Sequence, residues 1–158
     1  MICRFYAKDR YMNIRKSNMT DFIFREMLIE DYLKAFELWQ RTEGMALSLA
    51  DSRENINRFL ERNERLSFVC INDGNLIGTV LAGHDGRRGY IYHLAVDKEF
   101  RKKAIARELI KKSIEGLRNY GIEKCHLFVL NTNVSGEDFW AHEGWAKRDD
   151  IIVFSSDI

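Results

Sequence analysis

The strongest constraint lies in residues 90–118, YIYHLAVDKEFRKKAIARELIKKSIEGLR. Residues 90–96 form a short apolar and aromatic run, which reads as a buried strand. Asp97, Lys98 and Glu99 break it. Ile105, Leu109, Ile110, Ile114 and Leu117 then recur at helical spacing. A strand therefore passes through a tight turn into a long helix that opens at about Arg101. The first four N–H groups of a helix lack intrahelical partners, and the dipole places partial positive charge there. Ala104 and Ala106 are small enough to let an anion approach the backbone, and Arg101, Lys102 and Lys103 surround the same turn with cations. On spacing alone two readings stay open: an anion-binding helix end, or an amphipathic helix with a solvated basic face.

The rest of the chain sets bounds. A length of 158 residues, 46% apolar and 31% charged, fits one soluble domain with a sizeable core. The formal net charge of +1 argues against a dedicated nucleic-acid binder. No apolar run is long enough to span a membrane. Cys3, Cys70 and Cys125 are odd in number and widely spaced, which suits free thiols; with no signal peptide visible, the expected compartment is the reducing cytoplasm. No His and Cys spacing suits a metal, so none is expected. Residues 1–20 carry Arg4, Lys8, Arg10, Arg15 and Lys16 against the single acid Asp9, without a clear period. They read as a basic leader, accessory or poorly ordered, ahead of a folded domain at 21–158.

Within that domain, residues 22–28 read as a strand and residues 29–40 as a helix with Phe36 and Trp39 on its core face. A loop carrying Glu43, Gly44 and Ser48 follows, then a helix capped by Asp51 or Ser52. Residues 66–72 and 76–83 form strands joined at Asp73-Gly74, a strong hairpin signal. A second turn at 84–89 leads to the strand at 90–96. After the long helix come a strand at 124–130, a short helix at about 135–142 and a last strand at 145–154.

Residues 94–106 resemble the acetyl-coenzyme A motif of the GNAT superfamily N-acetyltransferases. That motif reads Leu-Ala-Val, a short acidic turn, then Arg/Gln-x-x-Gly-x-Gly/Ala opening a helix. Here the match is Leu94, Ala95 and Val96, then Arg101-x-x-Ala104-x-Ala106, with Ala104 in place of the first glycine. A second match is Asn133-x-x-Gly136-x-x-Phe139-Trp140-x-x-x-Gly144-Trp145, where Trp140 stands for the family's tyrosine. The turn GHDGRRGYIYH and the segment FWAHEGW are similar to the YpeA-type bacterial subgroup. The resemblance covers nearly all of residues 21–158. It implies an α/β fold, a mixed sheet splayed between the fourth and fifth core strands with helices on both faces.

The resemblance also implies an activity: transfer of an acetyl group from acetyl-CoA to a primary amine, by direct attack through a tetrahedral intermediate. Cofactor contacts are expected from Leu94, Ala95, Val96, Arg101, Lys102, Lys103, Ala104, Ile105, Ala106, Arg107, Asn133 and Trp140. An indole is not a useful proton donor at neutral pH, so the family tyrosine's acid role does not carry over to Trp140, and Tyr92 is the candidate acid. His93 and Glu43 are the candidate bases, since only the neutral amine is a nucleophile; packing and solvation are the competing roles of each. Glu43, Asp85, Arg87 and Arg88 are candidate acceptor contacts. The expected acceptor is a small-molecule amine or a peptide N-terminus, with no nucleic acid and no membrane; a homodimer is an expectation by analogy. The alternative is a non-catalytic acyl-CoA-binding regulatory module of the same fold.

Overall fold

The structure, a computed structural model, describes residues 22–158. The basic leader lies outside the described residues. Five strands form one sheet in sequence order: β1 (Ile23–Glu26), β2 (Phe68–Asn72), β3 (Asn75–His84), β4 (Gly89–Val96) and β5 (Cys125–Leu127). The first four are antiparallel neighbours and β5 runs parallel to β4, so the sheet is mixed. Helices α1 (Tyr32–Gln40) and α2 (Arg53–Arg62) pack with one core cluster, and α3 (Ile105–Asn119) with another. Helix α4 (Val134–His142) places Phe139 and Trp140 against the α3 cluster.

The sequence explains the layering. β3 is buried from Leu76 to Gly83, as a central strand with helices on both faces must be. Gly78 lets α3 close on it: a Cβ there would lie 3.1 Å from Ile105 Cγ2 and 3.2 Å from Leu109 Cδ1. Ile105, Leu109, Ile110, Ser113 and Leu117 form the buried stripe of α3. On the opposite face, Ala35, Leu38 and Trp39 of α1 and Ile56 of α2 meet Val69, Leu76, Leu81 and Ala95 of the sheet.

Three segments depart most from the sequence reading. The helix expected from about Arg101 begins at Ile105, because Lys102 and Ala104 take positive φ and the helix cannot run through them. The strand expected at 124–130 pairs over three positions only, and its ladder with β4 stops at Ile91–Leu127. β4 continues to Val96, so the fourth and fifth strands part company beyond Ile91. The last strand expected at 145–154 does not form: residues 151–158 have no regular structure and are exposed, Ile152 at 81% and Phe154 at 90%. An apolar run needs a partner edge before it becomes a strand, and β5 offers a ladder of three residues. Arg148 instead makes a local bidentate pair with Asp150.

No helix among the described residues is long and apolar enough to cross a membrane. Burial pushes the Cys70 thiol up to about 12 and that of Cys125 to about 11. Both cysteines are unpaired and, so shifted, stay protonated and unreactive at neutral pH.

Candidate active site

β4 carries a bulge at its centre. Thr79 pairs with Ala95 and Leu81 with Tyr92, so His93 and Leu94 together oppose the single residue Val80. His93 has φ of +48°, a left-handed conformation that costs a non-glycine residue about 1–2 kcal/mol. Tertiary contacts hold it there. Trp39 Nε1 donates to Thr79 Oγ1 at 2.9 Å, and Thr79 Oγ1 donates to the His93 carbonyl at 2.9 Å. The Trp39 ring meets the His93 imidazole edge-on at 4.6 Å. The bulge cancels the strand's alternation, so the successive side chains of Tyr92 and His93 both face the α1–α2 layer: Tyr92 meets Phe59 of α2, and His93 meets Trp39 of α1.

Asp51 reaches the same place from the loop between α1 and α2. Its Oδ1 lies 2.8 Å from His93 Nε2, and its Oδ2 accepts the Ser48 N–H at 2.8 Å. The Tyr32 hydroxyl donates to the Asp51 carbonyl at 2.9 Å. The imidazole contact is close but poorly aligned: among the described residues, His93 Nε2 is the buried side-chain polar atom without a well-directed hydrogen bond. Burial lowers the His93 pKa from the ordinary histidine value, and it outweighs the opposing pull of Asp51. The imidazole is therefore neutral at physiological pH, with a lone pair available. Asp51 went unrecognised in the sequence because it read as a helix cap; the cap of α2 is Ser52, whose hydroxyl accepts the Asn55 N–H.

The other expected residues fall into two groups. At the far end of β4, Ala104 is the N-cap of α3 at φ +60°, with no side chain capping the helix. This is the left-handed conformation a glycine would adopt freely, and it leaves the first N–H groups of α3 open. Arg101 and Lys102 are exposed beside it, and Lys103 stacks over Phe100 at 4.9 Å. Arg107 is engaged elsewhere, in a bidentate pair with Glu143 that ties α3 to α4. Asn133 caps α4 by accepting the Gly136 N–H at 3.0 Å. It also abuts the α1–α2 loop: a Cβ on Gly44, whose φ is +75°, would collide with the Asn133 amide. Trp140 packs between Phe139 and Trp145, at 5.2 and 4.9 Å.

Glu43 and Asp85 are held by neighbours. Glu43, 70% exposed, meets Lys98 at 2.6 Å, and that lysine lowers its pKa. Arg41 meets Asp97 at 2.7 Å, so two charge pairs bind the α1–α2 loop to the turn after β4. Asp85 accepts the N–H groups of Arg87 and Arg88, each at 2.7 Å, which lowers its pKa and shapes the β3–β4 turn. Arg87 and Arg88 are exposed at that tip. No group of three or more His, Cys, Asp or Glu side chains among the described residues is arranged to hold a metal ion.

The gap between β4 and β5 thus has an open helix end on one side and a neutral, buried imidazole on the other. The acetyltransferase (GNAT) family model matches residues 25–145, and the chain belongs to that family. An acetyltransferase of Pectobacterium atrosepticum is 33% identical over 111 residues, covering 70% of this chain and 76% of the relative. Among solved structures, the PaiA N-acetyltransferase of Thermoplasma acidophilum in complex with coenzyme A superposes with a TM-score of 0.71 at 21% identity, over 82% of this chain and 92% of that one. An aminoglycoside acetyltransferase from an uncultured soil metagenomic sample, in complex with sisomicin, gives 0.69 at 15% identity, over 88% and 97%. The fold is the GNAT acyltransferase fold, and the protein is an acetyltransferase by family.

Proposed function

We propose that the protein transfers the acetyl group of acetyl-CoA to the nitrogen of a small-molecule primary amine. The observation that carries this reading is the joining of two chemistries at the point where β4 leaves β5. The uncapped N-terminus of α3, with Arg101 and Lys102 beside it, suits the pyrophosphate. The unpaired edge of β4 beyond Ile91 suits the amides of the pantetheine arm, which would satisfy backbone groups that β5 leaves open.

His93 is the base in this reading. Its neutral imidazole takes a proton from the ammonium, and the amine then attacks the thioester carbonyl. A backbone N–H of the 94–96 segment stabilises the oxyanion. Collapse of the tetrahedral adduct breaks the C–S bond; the nitrogen gives up its second proton as the amide forms, the departing thiolate takes up one to become the thiol, and the proton taken by His93 returns to solvent. Asp51 positions the imidazole. Glu43 is less suited, since Lys98 holds it exposed and ionised. Partial burial of the Tyr92 ring raises its pKa, so it stays protonated and able to return a proton to the thiolate. A thiol-release assay with acetyl-CoA and a panel of primary amines tests the reading. Amine-dependent thiol release is the expected result. Binding of acetyl-CoA without release for any amine would make the chain a non-catalytic acyl-CoA-binding module.

A further inference from the structure

The acceptor side of the bulge has a distinctive lining. Four rings run in a row across the α1–α2 face: Phe59 of α2 meets Tyr92 of β4 at 6.1 Å, Tyr92 stacks with Tyr90 at 6.2 Å and 16°, and Tyr90 meets His126 of β5 at 5.9 Å. Tyr92, beside His93, is 38% exposed, so the row opens to solvent next to the imidazole. Beyond β5 the chain runs out into exposed Phe128 and Leu130.

Four carboxylates on the bordering loop and turns have local partners. The α1–α2 loop supplies Glu43 and Asp51, bound to Lys98 and His93. Asp97, in the turn after β4, holds Arg41, and Asp85, in the β3–β4 turn, caps two N–H groups. Residues 128–133 carry no acid. Glu43 and Asp97 are paired with Lys98 and Arg41, which leaves the Asp51 carboxylate beside the neutral imidazole, a match for a single ammonium group rather than for several. A flat apolar body gains instead, since stacked aromatic pairs contribute beyond their buried area, and one ammonium beside ring faces is tolerated.

Resting on the acetyl-transfer reading, we propose that the acceptor is a monoamine carried on an aromatic or apolar body, stacked on the row Phe59, Tyr92, Tyr90 and His126 with its nitrogen at His93.

The test has two arms, both on the full-length protein. In the first, ligand-observed NMR measures binding of 2-phenylethylamine, butylamine and spermidine in the presence of coenzyme A, independently of turnover. Preferential binding of 2-phenylethylamine, weakened about tenfold or more by Tyr92→Ala or Phe59→Ala, is the expected result. Equal or tighter binding of spermidine overturns the proposal, as does insensitivity of 2-phenylethylamine binding to both substitutions. In the second arm, thiol release compares the same amines. A kcat/KM at least tenfold higher for 2-phenylethylamine, with Tyr92→Phe keeping its amine KM and Tyr92→Ala raising it, supports the ring's role. Selective binding without any thiol release would sustain the acceptor class while removing the transfer reading beneath it. A comparable loss with Tyr92→Ala for all three amines contradicts the assignment, because a merely structural ring affects each amine alike.

Discussion

Beyond Ile91, β4 borders two sites made of different material. Toward α3 the chemistry resides in backbone N–H groups and exposed cations, supplied by one continuous stretch from Val96 to Ala106. Toward α1 and α2 it resides in side chains gathered from five places: Trp39 of α1, Asp51 of the loop, Phe59 of α2, Thr79 of β3, and Tyr92 with His93 of β4. A site built from contiguous backbone depends little on its neighbours' side chains. One assembled from five elements depends on all of them, and it is the side proposed to select the acceptor.

The largest effects are expected on the assembled side. Replacing His93 with Gln removes the proposed base, and general-base catalysis contributes roughly 10²–10⁴-fold. Amine-dependent thiol release should fall by about that factor while coenzyme A affinity stays unchanged. A parallel loss of coenzyme A binding would break the division between the two sites. The pH profile sharpens the same point. The neutral imidazole is the active form, and its pKa is lowered, so the acid limb of kcat/KM should lie below the ordinary histidine value of 6.5. Asp51 raises that pKa against the effect of burial. Asp51→Asn should therefore move the limb to still lower pH, and movement the other way would remove Asp51 as the partner of His93. The sign for stability follows from the same shift. A folded-state pKa below the unfolded one means that the stabilisation is full above about pH 6.5 and lost as pH falls toward the folded value. Histidine NMR titration beside acid unfolding checks both.

A smaller effect is expected from Thr79→Val. It leaves the buried Trp39 Nε1 unpaired and releases the His93 carbonyl, costing about 1–3 kcal/mol in denaturant unfolding. The amine KM should rise as the bulge loosens. Smallest of all is Ala104→Gly on the backbone side. Relief of a left-handed alanine should stabilise the fold by about 0.5–1 kcal/mol, and removing the methyl group should tighten coenzyme A binding. Weaker binding would mean that this helix end does not receive the phosphates.

The same contrast decides what could be read from the chain alone. The strand-turn-helix junction is local, so Leu94-Ala95-Val96 and the residues from Arg101 to Ala106 marked it, even though α3 starts four residues later than its charges suggested. The hairpin at Asp73-Gly74 and the buried stripe of α3 were legible for the same reason. The bulge was not, because a two-residue period carries no mark for one inserted residue, and only the pairing of Thr79 and Leu81 reveals it. Asp51 looked like a cap because its neighbours 49–52 do form a turn; its contact with His93 exists only in the folded chain. Residues 145–154 show the opposite error, an apolar pattern with no paired edge to make it a strand.

Calorimetric titration of the protein and of its His93→Gln variant with acetyl-CoA, coenzyme A and ADP addresses the division most directly. The expected result is binding of acetyl-CoA and coenzyme A well above that of ADP, because the proposed site places the pantetheine arm on the edge of β4, with equal affinity in both proteins. No binding of acetyl-CoA, or ADP binding as tightly as coenzyme A, would contradict it.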